Sequence, residues 1–118
     1  MTADPPVFTP ESVEQKIAEC VTRIANGVRV VTEAERKARE AKRIFDLAYA
    51  HAYKRTEAAA HVRRYEADIM TMGQREEADN AEIAFRHAER TARALEKELL
   101  AWQSIGASIR AMFPAVTR

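Results

Sequence analysis

Residues 81–113 read AEIAFRHAERTARALEKELLAWQSIGASIRAMF. Within them the apolar or small residues fall at Ala81, Phe85, Ala88, Ala92, Leu95, Leu99, Trp102, Gly106, Ile109 and Phe113, in steps of four and three without a miss. An α-helix turns once in 3.6 residues, so a repeat of 3.5 lays these side chains along one narrow seam. Such a seam packs on another helix, whereas a globular core asks for a broader stripe. No proline interrupts it until Pro114. The fold therefore depends on where a matching seam lies.

It lies in the first half of the chain. Thr9-Pro10-Glu11 reads as a helix start: Thr9 caps, Pro10 suits the first helical position, and Glu11 complements the positive end. From there a second seam runs through Val13, Ile17, Cys20, Ile24, Gly27, Val31, Ala34, Ala38, Ala41, Phe45, Ala48 and Ala52. Asn26-Gly27 is either a C-cap between two helices or a weak point inside one. The seam keeps its phase on both sides, which favours one helix from Pro10 to about residue 58, ~70 Å long at 1.5 Å per residue. After Tyr53 the pattern changes. Thr56-Glu57 reads as the cap of a short connecting helix over about 58–70, and Thr71-Met72-Gly73 as the turn into a last helix over about 74–113. With the hairpin tip at that turn, the seams face each other antiparallel, Phe45 beside Ala88 to Ala92, Val31 beside Trp102, and Ile24 beside Ile109. The sequence thus predicts an all-α fold, a long coiled-coil-like antiparallel helical hairpin over 9–118. A flexible arm over 1–8, around Asp4-Pro5-Pro6, precedes it.

At 118 residues this is a single domain, and although 47% of it is hydrophobic, much of that is alanine. At ~25 cal/mol per Å² of apolar surface, an alanine stripe gains little per turn, so the hairpin is expected to self-assemble into a homo-oligomer. The expected interface is the open end, where Trp102, Ile105, Ile109, Met112 and Phe113, with Leu100 beside them, spread wider than one seam needs. Val28, Val30 and Val31 widen the first helix near the same level. The alternative is that the N-terminal arm folds back and covers this surface. No apolar run approaches the ~20 residues of a membrane span, so no membrane partner is expected. The single cysteine, Cys20, allows no internal disulfide and fits a reducing, cytoplasmic setting.

No catalytic constellation emerges, and the sequence reads as a non-enzyme with no cofactor. His51, His61 and His87 lack metal-pair spacing and have no cysteine near them. Glu76, Glu77, Asp79 and Glu82 lack a nucleophile to work with and suit the positive end of a helix. The three glycines are isolated, so no phosphate loop exists. Charge, however, is segregated. Residues 36–64 carry nine Lys or Arg against three acidic residues, while 65–100 carry five against nine, and the net charge of +1 conceals both. In the basic stretch, aromatic residues alternate with cations. Lys42, Arg43, Lys54, Arg55, Arg63 and Arg64 are candidate phosphate contacts, and Tyr53 and Tyr65 candidate stacking platforms, the combination that holds single-stranded nucleic acid without reading its sequence. The competing reading is a solvated outer face on an ordinary coiled coil.

The run Ala48-Tyr49-Ala50-His51-Ala52-Tyr53-Lys54-Arg55-Thr56, with Leu95-Glu96-Lys97-Glu98-Leu99-Leu100-Ala101-Trp102-Gln103-Ser104-Ile105-Gly106-Ala107-Ser108-Ile109-Arg110, resembles small helical phage proteins of the UvsY-type recombination mediator family. The likeness extends over about Thr9 to Phe113 and lies in a pattern of alanine, aromatic and charged residues. It implies a hexamer or heptamer in the bacterial host cytoplasm that binds single-stranded DNA. Its partners would be a recombinase and a single-strand-binding protein. The basic middle segment would be the DNA face, and the C-terminal helix would build the ring. The alternative from a different class is a structural or protein-interaction coiled coil, such as a phage assembly chaperone or scaffold, that binds no nucleic acid.

Overall fold

The computed structural model of the chain describes residues 8–112, which form three helices: α1 (Pro10–Arg55), α2 (Ala60–Met70) and α3 (Met72–Met112). No strand occurs among the described residues, and the fold is the all-α helical hairpin that the two seams predict. Phe113 and the arm up to Val7 lie outside the described residues.

α1 opens on a reciprocal cap. Thr9 Oγ1 accepts from the Ser12 N–H at 3.1 Å, while Ser12 Oγ accepts from the Thr9 N–H at 2.9 Å. This is a capping box with serine in place of the usual Glu or Gln. The helix then passes through Asn26-Gly27 without a break. Gly27 has ordinary helical φ, and a Cβ built on it would meet nothing within 4 Å. It costs the helix only its low propensity.

The chain packs as two compact units. In the first, the start of α1 up to Val28 runs antiparallel to the end of α3 from Thr91, and Val13, Cys20, Leu95 and Ile109 form its core. The helices pack closely at Gly106, where Val13 Cγ1 lies 3.2 Å from the position a Cβ would take, with Ile17 Cδ1 at 3.9 Å. The missing side chain is what permits that approach. Phe8 packs edge-on against Trp102, ring centroids 5.6 Å apart. In the second unit, Arg29–Arg90, the core is Ala38 and Ala52 of α1, Ala67 of α2, Phe85 of α3 and the buried Thr71 between the last two helices. Every α1 seam position from Val13 to Ala52 and every α3 seam position from Ala81 to Ile109 is buried or half-buried.

The chain reverses at Thr56–Ala59, not at Thr71-Met72-Gly73 as the sequence suggests. Arg63 of α2 lies over the Tyr53 ring at 5.8 Å, and Arg75 of α3 over Phe45 at 5.4 Å, so α2 already runs back along α1. Thr71 alone separates α2 from α3. Its N–H donates to the Ala67 carbonyl at 3.1 Å and its own carbonyl accepts from the Arg75 N–H at 3.0 Å, so the helical ladder continues through the joint. The Thr71 hydroxyl also donates to the Ala67 carbonyl, at 2.6 Å. Ala67, Thr71, Gln74, Ala78 and Ala81 extend the α3 seam backwards in the same steps of four and three, each buried or half-buried. A reversal at Thr71 would expose Ala67 and Thr71.

At the true tip the next α1 seam position is Arg55, so further helix would bury nothing. The Thr56 hydroxyl donates back to the Ala52 carbonyl at 3.0 Å rather than capping α2. α2 instead starts from extended Ala59 with no side-chain cap. Moving the tip shifts every cross-helix pair by about two heptads, ~14 residues. Phe45 meets Arg75 rather than Ala88 to Ala92, and it is Ile17 and Val13, not Ile24, that reach the last turns of α3.

The two seam glycines are expected to respond oppositely to substitution. Gly27→Ala should raise stability by ~0.5–1 kcal/mol, the helix-propensity difference, since its Cβ meets open space. Gly106→Val should lower it by ~1–3 kcal/mol, because Val13 must give way. Thermal denaturation followed by circular dichroism measures both, and equal shifts would contradict the close approach at Gly106.

Candidate nucleic-acid interface

Because the reversal falls at 56–59, the two halves of the basic stretch meet at one end of the second unit. Lys54 and Arg55 close α1, and Arg63 and Arg64 lie in the first turns of α2. Lys42 and Arg43 do not join them, sitting about 12 residues, or ~18 Å, back along α1. Lys42, Arg43, Lys54, Arg55 and Arg64 are exposed and form no ion pair with any described residue. Arg29, Lys37, Arg90 and Arg93 also stand without an ion pair to a described residue, as the tip cations do. Some other cations pair along their own helices: Arg36 with Glu33, Arg39 with Glu35, and Arg86 with both Glu82 and Glu89 at 2.9 Å each. Those two carboxylates push the Arg86 guanidinium pKa up, with the hydrogen bond to Glu89 the leading cause.

Two candidate residues differ from the sequence reading. Tyr53 is half-buried, with Tyr49 stacked at 6.4 Å and the Arg63 guanidinium on its ring, so the chain's own groups occupy the platform. Arg63 is correspondingly committed: it is half-buried, and its Nε is shielded from solvent without a hydrogen-bond partner among the described residues. Phe45, Tyr49 and Tyr53 form a ladder at helical spacing, with Arg75 and Arg63 at its two ends. Tyr65, at 68% exposure, is the aromatic residue open to a base. The sequence reading missed Arg75; its place opposite Phe45 becomes visible only when the seam is continued back through Thr71.

The apolar open end is largely closed by the chain itself. Ile109 is buried in the hairpin core, Ile105 is half-buried, and Trp102 is half-buried against Phe8. Met112 stays open, as does Leu100. Of the arm, only Phe8 is among the described residues, and it is the ring that packs on Trp102.

Among the described residues no group of three or more His, Cys, Asp or Glu is placed to hold a metal, and no helix is long and apolar enough to cross a membrane. No protein-family model, curated protein or solved structure matches the chain. The likeness to the phage mediators accordingly stands on the residue pattern alone.

In the first unit, buried Cys20 donates from Sγ to Glu98 Oε2 at 2.8 Å, and Arg23 Nη1 approaches the same oxygen at 3.5 Å. The hydrogen bond to Glu98 pushes the thiol pKa above its ordinary 9.0, with burial and the Glu98 charge adding to it. The native state holds this proton more tightly than the unfolded chain. The resulting stabilisation is complete below pH 9.0 and is lost as pH rises through the raised value. The melting-temperature advantage of the wild type over Cys20→Ala should therefore narrow from neutral pH to pH above the thiol's titration. A constant difference would show that packing alone accounts for Cys20.

Proposed function

We propose that the chain is a non-enzymatic, single-stranded-DNA-binding accessory protein of the recombination-mediator kind, acting as an oligomeric scaffold that presents a strand to a recombinase. The observation that carries the reading is that the reversal places Lys54 and Arg55, at the end of α1, and Arg64, in the second turn of α2, at the same end of the second unit. None is ion-paired with a described residue, and the exposed ring of Tyr65 is next to Arg64 in the chain. Arg64 also lines a hollow with Asp46 and Asp68. Cations without internal partners release counterions when they meet phosphate, and an open ring accepts any base. Each tip is a weak site. Several tips held together gain avidity without new contacts, which is how a scaffold of small subunits holds a strand. Lys42 and Arg43, farther along α1, serve as an outlying track for the same backbone.

A second reading, a protein-interaction coiled coil of the assembly-chaperone or scaffold kind, draws on the amount of exposed apolar surface. Val21, Val28, Ile44, Leu47, Ile69 and Ile83 are among the large side chains more than half exposed. That surface speaks for a protein partner with or without nucleic acid.

Titration of a fluorescent single-stranded oligonucleotide at two salt concentrations tests the first reading. The triple variant Lys54→Ala, Arg55→Ala, Arg64→Ala should weaken binding and lower the slope of log affinity against log salt by about 2, since each phosphate contact on a single strand contributes ~0.7. Tyr65→Ala should weaken it by ~1–3 kcal/mol with little change in slope. Wild-type affinity in the triple variant at low salt, or no binding by the wild type, would leave the second reading.

A further inference from the structure

We propose that one lateral face of the second unit is the contact between two copies of this chain, related by a two-fold axis that lays α1 of each over α3 of the other. The inference makes specific the oligomer in the preceding reading and does not depend on nucleic acid. On this face α1 presents Val30 and Ile44, both more than half exposed. Val30, Lys37, Ala81 and Ala84 line one hollow, and Ile44, Gly73 and Glu77 line the next. On the α3 side the first hollow is walled by alanines and the second by Gly73 with the longer Gln74 and Glu77. A Cβ on Gly73 would meet nothing within 4 Å, so the space above it is open.

Large side chains on α1 beside hollows in the groove between α1 and α3 make the face complementary to itself. The two-fold operation puts Ile44 of one copy into the hollow at Gly73 of the other, and that contact occurs twice. Each helix then lies antiparallel to both its neighbours, the arrangement of a four-helix bundle. Charge follows the same plan. Lys37 on the α1 edge and Glu77 on the α3 edge form no ion pair with a described residue. In the two-fold pair Lys37 arrives over Ala81, one turn of α3 from Glu77, within reach of its flexible stem. A partner of unrelated sequence would have no reason to match an edge whose complement is the other edge of the same hairpin. Contacts of this kind join chains in twos, so the assembly has an even copy number: a hexamer fits and a heptamer of equivalent chains does not.

Sedimentation equilibrium of the full chain across the micromolar range, without DNA, tests this. The wild type should give the mass of two chains or a larger even number. Ile44→Glu and, independently, Ala84→Arg place a charge at exposed positions of the face. They should weaken association by ~100-fold while leaving helicity and melting of the single chain intact. Lys37→Glu and Glu77→Lys should each weaken it by ~tenfold, and mixing those two variants should restore it, because each mixed pair again sets opposite charges together. A wild type of single-chain mass, an odd copy number of equivalent chains, or wild-type association in both Ile44→Glu and Ala84→Arg would overturn the proposal. A mixture no tighter than its components would overturn the α1-over-α3 arrangement. None of these variants touches the tip cations, so loss of this face and loss of DNA binding are read separately.

Discussion

The close approach of two helices along a line of small residues is the constraint on which the rest of this protein depends. Ala38, Ala52, Ala67 and Gly106 let backbones approach to a distance that larger seams forbid, as Val13 over Gly106 shows. A seam so poor in bulk gains little free energy in any one turn, so the protein uses helices of 46 and 41 residues to accumulate it. The few large core residues, among them Val13, Leu95, Phe85 and Ile109, punctuate the alanines.

A narrow seam has a second consequence, because most of each helix circumference remains outside. Charged residues can settle there in pairs along their own helix, as Arg86 does between Glu82 and Glu89, or stand without partners, as at the tip. Pairs so exposed contribute little to stability, and their main effect is to neutralise the sides of the hairpin. At the tip Lys54 and Arg55 stand side by side without ion pairs to described residues, and Arg29, Lys37, Arg90 and Arg93 along the sides lack such pairs as well. The same geometry leaves large apolar side chains uncovered on α1 beside hollows in the groove between α1 and α3, a surface that one hairpin cannot close on itself.

How much of the candidate site was legible depends on which property is asked about. The cations could be named from the sequence, since Lys and Arg remain charged wherever the helices place them. Their grouping could not, because Arg55 and Arg63 come together only when the chain reverses between them. Tyr53 and Tyr65 looked equivalent, yet the face of α1 that carries Tyr53 also carries Tyr49, and α2 returns Arg63 onto it. The contact of Cys20 with Glu98 joins residues whose separation in the chain contains no hint of it.

The sequence by itself determined that the chain is helical and that it carries two matched seams, because the heptad phase is a local property written residue by residue. At Asn26-Gly27 it favoured one helix over a C-cap, and the structure decided for the unbroken α1. The sequence could not determine the register. A heptad seam slid by two repeats presents the same kinds of residue to its partner, so the pattern alone does not distinguish the two alignments. Only the position of the reversal decides between them, and local turn chemistry pointed to the wrong place: Thr71-Met72-Gly73 resembles a turn, Thr56-Glu57-Ala58-Ala59 does not. The tertiary structure takes the latter, which buries Ala67 and Thr71, a long-range packing outcome that no local turn signal registers. That choice brought the basic residues to the tip.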